Sequence, residues 1–178
     1  MREGANAELE ATADSTWGDH NVYGILLTYN GGAVAHPVKK MHLILDSSME
    51  SEAVATGKCG EIVSYARDIL RAIGVPQQGP TFIGTDNKAN GLIASGRSLP
   101  SRARHAMRRY TTFLARLARG EVQVGHVKDE HNPSDFLTKF VNKAKAHSSL
   151  EFATNSRNRV PHEASHADFD GGFPHDDD

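Results

Sequence analysis

The sequence Asn30-Gly31-Gly32 predicts a tight turn, and this turn most constrains how the chain begins to fold. It divides VYGILLTYNGGAVAHPVKK (22–40) into two apolar runs. Asn-Gly and Gly-Gly accept the positive φ angles of hairpin turns, so the pattern predicts a pair of antiparallel strands. Alternating residues at 9–14 predict a strand before the hairpin, and MHLILD (41–46) is predicted as a third strand. An antiparallel meander of three strands therefore opens the domain.

Helical periodicity replaces alternation from Ser48 to Gly74. One apolar stripe recurs at steps of three and four residues, comprising Ala55, Cys59, Ile62, Ala66, Leu70 and Ile73. Ser47 or Ser48 can cap the start, and Gly74-Val75-Pro76 ends the helix. The remaining pattern predicts strands over 81–86 and 121–128 and helices over 87–95, 101–118 and 133–144. This order predicts an α/β fold: a mixed five-stranded sheet, the meander plus parallel strands, flanked by helices.

Charge is distributed unevenly along the 178 residues. The net charge is −2, but residues 161–178 carry six acidic residues and no Lys or Arg. Without these six, 20 basic residues face 16 acidic ones and the net charge becomes +4. Residues 97–119 contain seven Arg and no acid, which indicates either a phosphate-binding surface or a solvated helix face.

Composition also bounds the domain organisation. We predict an extension over 1–8, one domain over 9–145 and a disordered acidic tail over 146–178. No apolar run approaches the roughly 20 residues that span a bilayer, and the first residues lack a secretory signal, so no membrane partner is expected. The single cysteine, Cys59, excludes an internal disulfide framework and suits a reducing compartment.

Four carboxylates stand at the ends of predicted elements. Asp14 closes the first strand, Asp86 ends the buried strand and Asp135 opens the last helix. Each alone has a local explanation, as a turn residue, a helix cap or a helix-start anion. Glu52 has none, because it lies on the apolar stripe of the first long helix, where an unpaired carboxylate is costly.

Convergence of these four acids would require a cation to offset their repulsion. Oxygen-only ligand sets favour hard ions such as Mg²⁺ or Mn²⁺, and two such ions about 4 Å apart suit in-line phosphoryl transfer. The four carboxylates together therefore predict a metal site more specifically than any one of them does.

Five sequence blocks in order resemble one known family, the ribonuclease H domain of copia-type LTR retrotransposon polyproteins. The resemblance spans about residues 9–143. The blocks are ADSTWGD (13–19), KKMHLILDSSMESEA (39–53), TDNKANGLIASG (85–96), SRARHAMRRY (101–110) and NPSDFLTK (132–139).

The resemblance implies a ribonuclease H-like fold and a nuclease that cleaves the RNA strand of RNA–DNA hybrids, leaving 3′-hydroxyl and 5′-phosphate ends. It implies that two Mg²⁺ ions, for which Mn²⁺ substitutes, are held by Asp14, Glu52, Asp86 and Asp135. Asp14 would bridge the ions, Glu52 and Asp86 would serve one side, and Asp135 the other. The implied partners are the hybrid and a reverse transcriptase domain of the same polyprotein. The implied location is intracellular, either cytoplasmic in a virus-like particle or nuclear.

Contacts to the substrate are expected outside the carboxylates. The resemblance favours Arg104, His105 and Arg109 on the basic helix as phosphate contacts, although a solvated face also explains them. Asn87 is predicted to contact a substrate sugar or to cap the following helix. Three alternatives keep the acids but change the function: a catalytically inactive nucleic-acid-binding module, an integrase-like nuclease of the same superfamily, and an α/β interaction domain.

Overall fold

Six strands form one mixed sheet in the computed structural model, which describes residues 8–87 and 104–155, without the side chains of residues 104–110. The strands are β1 (Leu9–Thr16), β2 (Val22–Tyr29), β3 (Gly32–Ala35), β4 (Val38–Lys40), β5 (Thr81–Thr85) and β6 (Val122–His126). The helices are α1 (Ser48–Ala72), α2 (Arg104–Ala118), α3 (Asp135–Thr138) and α4 (Lys143–Ala153). Of the helix predicted over 87–95, all but the first residue lies outside the described residues.

The sheet order is β3-β2-β1-β5-β6, with β4 also paired to β2. The β1–β2 and β2–β3 pairs are antiparallel, whereas β1–β5 and β5–β6 are parallel. This arrangement confirms the predicted α/β class and mixed sheet. The sheet has six strands rather than five because two short strands, β3 and β4, both pair with the same edge of β2. The dividing segment contains Pro37, which has no N–H for the ladder, although its carbonyl accepts from Ile25 at 3.1 Å.

The prediction of a strand over residues 41–46 is wrong. The position beside β2 is already filled by β4, in which Lys39 pairs with Tyr23. The segment that follows is irregular: Met41 and Leu45 are buried, but Ile44 is 91% exposed. Its apolar residues therefore anchor a connection to α1 and do not extend the sheet.

Helix α1 packs across β1 and β2 and supplies much of the core. Ser47 caps it by accepting a hydrogen bond from the Glu50 N–H at 3.3 Å, as the sequence predicted. Its middle lies against α2, where a Cβ at Gly60 would come within 2.7 Å of Phe113 Cδ2. The core includes Leu9, Ala11, Ile25, Leu27, Ala55, Cys59, Val63, Ile83, Phe113 and Val124.

The end of the chain also differs from the prediction of one short helix over 133–144. Lys139 adopts an extended conformation, with φ −142° and ψ 160°, and ends α3 after one turn. Asn142 then caps α4 by accepting from the Lys145 N–H at 2.9 Å. Helix α4 crosses the boundary predicted at residue 145 and continues to Ala153. No helix within the described ranges is both long and apolar enough to cross a membrane.

Candidate active site

The parallel pairing of β1 with β5 brings the first two predicted acids to one edge of the sheet. Asp14 lies near the carboxyl end of β1, and Asp86 directly follows β5. Carboxyl ends of neighbouring parallel strands meet at the same edge, where ligands of α/β sheets gather. Asp14 is 1% exposed and accepts a hydrogen bond from Thr138 Oγ1, so its carboxylate points towards α3.

Glu52 reaches the same edge from the first turns of α1. Its Oε1 accepts hydrogen bonds from the Ser15 N–H at 3.1 Å and from Ser15 Oγ at 2.6 Å. Its Oε2 is buried and has no hydrogen-bond partner among the described residues. The carboxylate expected on the buried side of α1 is thus fixed by one oxygen and leaves the other for a ligand.

The loop before α3 is bound to β1 and so positions Asp135. Asn132, which is 1% exposed, donates from Nδ2 to the Ala13 carbonyl at 3.4 Å. The hydroxyls of Ser134 and Thr12 lie 2.5 Å apart. Asp135 itself is fully buried, and its Oδ1 is without a hydrogen-bond partner in the described part of the chain. Two lysines approach its other oxygen: Lys139 Nζ lies 3.3 Å from Oδ2, and Lys145 Nζ also contacts Oδ2.

Five carboxylates form two overlapping groups. One group comprises Asp14, Glu52 and Asp86, and the other Asp86, Asp129 and Asp135. Within each group one oxygen per residue lies within 4.8 Å of the others, a separation that permits a shared metal ion. Asp86 belongs to both groups, and the bridging role that the resemblance implied for Asp14 stays a prediction.

Comparisons with known proteins support the expectation raised by the motifs. No protein-family profile matches the chain. The retrovirus-related Pol polyprotein from transposon TNT 1-94 of Nicotiana tabacum is 24% identical over 122 residues, which cover 68% of this chain and 9% of the polyprotein. The chain therefore spans a small fraction of that relative's length.

Solved structures establish the fold. LC11-RNase H1, isolated from compost by a metagenomic approach, superposes with a TM-score of 0.59 at 13% identity, over 74% of this chain and 92% of that one. RNase H1 from Halobacterium salinarum NRC-1 gives 0.54 at 16% identity, over 81% and 98%. LC11-RNase H1 in complex with an RNA/DNA hybrid gives 0.53 at 10% identity, over 70% and 88%. The chain has the ribonuclease H fold. The resemblance to a ribonuclease H domain of a retrotransposon polyprotein is likewise confirmed.

Burial within this ribonuclease H fold perturbs the carboxyl groups. Desolvation raises the pKa of Glu52 from 4.5 to about 8, against the opposing hydrogen bonds from Ser15. Desolvation likewise raises the pKa of Asp14 from 3.8 to about 6, although Thr138 and Lys139 favour its charged form. The pKa of Asp86 is raised by burial and then by the charge of Asp135. Burial and mutual repulsion at the site therefore disfavour the negatively charged forms of these three carboxyl groups.

The sequence analysis missed several residues of this site. Asp129 is 69% exposed, and Lys145 lowers its pKa by a hydrogen bond at 3.1 Å. Thr138 and Lys139 stood within the NPSDFLTK block, and their spacing from Asp135 could have indicated them. Lys145 gives no signal, because it follows the predicted helix over 133–144 and belongs to none of the motifs.

The predicted substrate contacts are only partly placed by the ribonuclease H fold. Asn87 follows Asp86, is half-buried, and donates from its N–H to Thr85 Oγ1 at 3.3 Å. It thus stands beside the carboxylates. The side chains of Arg104, His105 and Arg109 lie outside the described residues, so the predicted phosphate contacts stay predictions.

Proposed function

We propose that this protein is a ribonuclease H: a divalent-metal-dependent endoribonuclease that hydrolyses the RNA strand of RNA–DNA hybrids during reverse transcription of a retroelement. One observation carries the proposal. The carboxylates of Asp14, Glu52, Asp86 and Asp135 lie in or directly after four different elements of a ribonuclease H fold and fall into two overlapping groups at one sheet edge. A protein of the same fold has been solved with an RNA/DNA hybrid bound, which identifies a substrate this shape can accommodate.

The residues fit a hard divalent cation. Every candidate ligand is a carboxylate oxygen, the donor that Mg²⁺ prefers and Mn²⁺ also accepts. Glu52 Oε2 and Asp135 Oδ1 are buried and lack hydrogen-bond partners among the residues described, an arrangement that is costly unless a cation satisfies it. When bound, two such ions would supply the charge that lowers the pKa of an attacking water and stabilises the leaving 3′-oxygen.

The chain itself contributes orientation. Ser15 holds one oxygen of Glu52, Thr138 holds one oxygen of Asp14, and Asn132 fastens the loop before α3 to the Asp14 strand. These contacts come from the chain's own residues and hold the carboxylates in place, which is the preorganisation a metal site requires. Glu52 must lose its proton to serve as a ligand, so cation binding at neutral pH would release that proton, whereas Asp14, with a pKa of about 6, is already mostly charged.

Substrate recognition would rest on the backbone of the hybrid. We assign phosphate contacts to Arg104, His105 and Arg109, and a sugar contact to Asn87 beside the carboxylates. Recognition through phosphates and 2′-hydroxyls reads shape and carries little sequence information. From the family resemblance we infer a reverse transcriptase domain as the partner in the same polyprotein and an intracellular setting, either particle-borne or nuclear; the match to a retrovirus-related Pol polyprotein supports this inference.

A hydrolysis assay tests the proposal directly. The protein is incubated with end-labelled RNA in an RNA–DNA hybrid, in double-stranded RNA and alone, and with labelled duplex DNA, each with Mg²⁺, Mn²⁺ or chelator. We expect cleavage only of the RNA strand in the RNA–DNA hybrid, and only when a divalent ion is present. The products should carry 3′-hydroxyl and 5′-phosphate ends. Preferential cleavage of duplex DNA would instead indicate an integrase-like nuclease.

A second candidate is a hybrid-binding module without catalysis. It is favoured by Lys139 and Lys145, whose ammonium groups already neutralise Asp135. Binding of hybrid with no cleavage at any concentration of Mg²⁺ or Mn²⁺ would select this alternative. Failure to bind hybrid at low salt would contradict both and leave an interaction domain.

A further inference from the structure

The two carboxylate groups differ in what already neutralises them. In the Asp86–Asp129–Asp135 group, Lys145 Nζ contacts Asp135 Oδ2 and lies 3.1 Å from Asp129 Oδ2. In the Asp14–Glu52–Asp86 group, Glu52 Oε2 is buried and unpartnered among the described residues. One group is therefore open towards a cation, whereas the other already holds one that belongs to the chain.

Helix α4 fixes Lys145 in this place. Asn142 caps the helix by accepting from the Lys145 backbone N–H at 2.9 Å, so the cap fixes the position of the Lys145 backbone. The Lys145 side chain is only 15% exposed, which indicates that it lies inward. Lys139 also approaches, with its Nζ 3.3 Å from Asp135 Oδ2 and 3.8 Å from Asp14 Oδ1, but its side chain is 38% exposed.

Asp135 provides a second, independent sign of a ligand at this end. It is fully buried, and its Oδ1 has no hydrogen-bond partner in the described ranges although Oδ2 contacts both lysines. A carboxylate that needed only a lysine would leave no oxygen unsatisfied at such depth, because that arrangement costs stability. The group thus retains capacity for a further cation.

We propose that Lys145 is a positioning residue that acts as a tethered cation at the Asp129–Asp135 end and that a second divalent ion must displace its ammonium group. The inference rests on the proposed metal-dependent function and deepens it. The first ion binds at Asp14, Glu52 and Asp86, and the second binds more weakly because it competes with Lys145. In the absence of the second ion, Lys145 keeps the buried charge of Asp135 neutralised.

Two physical consequences distinguish this role from simple packing. A positive charge a few ångströms from an ion repels it, so removal of that charge should strengthen binding of the second ion. The same removal leaves the buried Asp135 with only the more exposed Lys139 as its counter-charge in the ion-free protein, which should destabilise the fold until an ion binds. A structural lysine would produce the second effect without the first.

The experiment titrates the full chain with Mn²⁺, without nucleic acid, and counts free ion by electron paramagnetic resonance. The variants are Lys145→Met and, as a matched control, Lys143→Met, an exposed lysine on the same helix. Wild type and Lys143→Met should bind one ion tightly and a second at least about tenfold more weakly, and Lys145→Met should tighten the second at least about tenfold. In chelator, Lys145→Met should have a lower melting temperature than wild type and Lys143→Met, and added Mn²⁺ should restore its melting temperature.

An unchanged second affinity in Lys145→Met, or equal affinities of both ions in wild type, would overturn the inference. Should Lys145→Met fail to fold without metal, Lys145→Arg keeps the positive charge and must keep the second ion weak; a tightened second ion there contradicts the proposal equally. The failures are separable. Hybrid cleavage by wild type together with unaltered Mn²⁺ binding in Lys145→Met rejects this inference alone, whereas the expected Mn²⁺ pattern without cleavage rejects only the proposed function.

Discussion

Ser15 directs both of its hydrogen bonds to the same oxygen of Glu52, with its N–H 3.1 Å and its Oγ 2.6 Å from Oε1. The other oxygen, Oε2, remains buried and unpartnered in the described structure. The serine thus orients the carboxylate and leaves one oxygen for a ligand. Outer-shell hydrogen bonds of this kind set the affinity of metal sites as well as their geometry.

Ser15→Ala should therefore weaken binding of the first ion by about 10-fold to 100-fold while the chain still folds. The stability lost should be about 1 kcal/mol, the usual worth of one hydrogen bond. Mn²⁺ titration and chemical denaturation measure the two effects. Ser64→Ala is the matched control, because Ser64 Oγ on α1 accepts from Arg116 on α2 and donates to Glu121 just before β6. Equal metal affinity in both variants would show that Ser15 does not orient the site.

The raised pKa of Glu52 predicts how stability depends on pH in chelator. The folded state keeps a proton that the unfolded chain releases, because the pKa is 4.5 ordinarily and about 8 here. The free energy of unfolding should fall as pH rises between about 4.5 and 8, with Asp14 adding a fall between 3.8 and about 6. Denaturant titrations from pH 4 to 9 measure this slope.

Glu52→Gln tests the origin of that slope. The amide oxygen can still accept from Ser15, but the group no longer titrates. At pH 8 in chelator the variant should be more stable than wild type by about 1–3 kcal/mol, and the slope between pH 6 and 8 should flatten. Saturating Mg²⁺ should reverse the order, because only wild type gains from the ion. A variant with the wild-type pH slope would place the titrating group elsewhere.

The site residues that could be predicted from the sequence are those whose positions are marked by local features of one segment. The ends of predicted elements indicate Asp14, Asp86 and Asp135, and a charged residue on the apolar stripe of α1 indicates Glu52. Periodicity and turn residues encode such features within one segment. The structure brings these four side chains together, as their positions suggested.

Tertiary contacts decided what the sequence analysis missed. MHLILD has the apolar content of a strand, but the sheet position beside β2 is filled by β4. The predicted last helix is interrupted at Lys139, whose side chain approaches Asp14 and Asp135. Asp129 and Lys145 lie 16 residues apart and meet only in the folded chain, so neither residue's surroundings indicated the other. Local sequence patterns do not indicate contacts between residues that are this far apart in the sequence.

Asp86→Asn should reduce cleavage of the hybrid by more than about 100-fold, since Asp86 belongs to both carboxylate groups. The substitution removes charge but little volume, so the circular dichroism spectrum should not change and stability in chelator should not fall. Asp68→Asn, an exposed residue paired with Arg71, is the control and should cleave like wild type. Full Mg²⁺-dependent activity in Asp86→Asn would mean that the site proposed here is wrong.

Gly24 of β2 predicts a link between packing and the site. A Cβ at this position would lie 2.7 Å from Leu137 Cβ and 2.9 Å from Thr138 Cγ2, so α3 would have to move. Thr138 holds Asp14, and α3 carries Asp135, so displacement of the helix should loosen both carboxylates. Gly24→Ala should cost about 1–3 kcal/mol of stability, as overpacking does, and weaken Mn²⁺ binding.

Gly32→Ala separates this effect from the general cost of a methyl group in a strand. At Gly32, in β3, the nearest atom to an added Cβ is the Tyr29 carbonyl oxygen at 3.9 Å, an ordinary contact. This variant should bind Mn²⁺ and cleave hybrid like wild type. If Gly24→Ala lost stability but kept wild-type Mn²⁺ affinity, α3 would not be what positions Asp14 and Asp135. Loss of both, with Gly32→Ala unaffected, is the result expected from the close approach of β2 to α3.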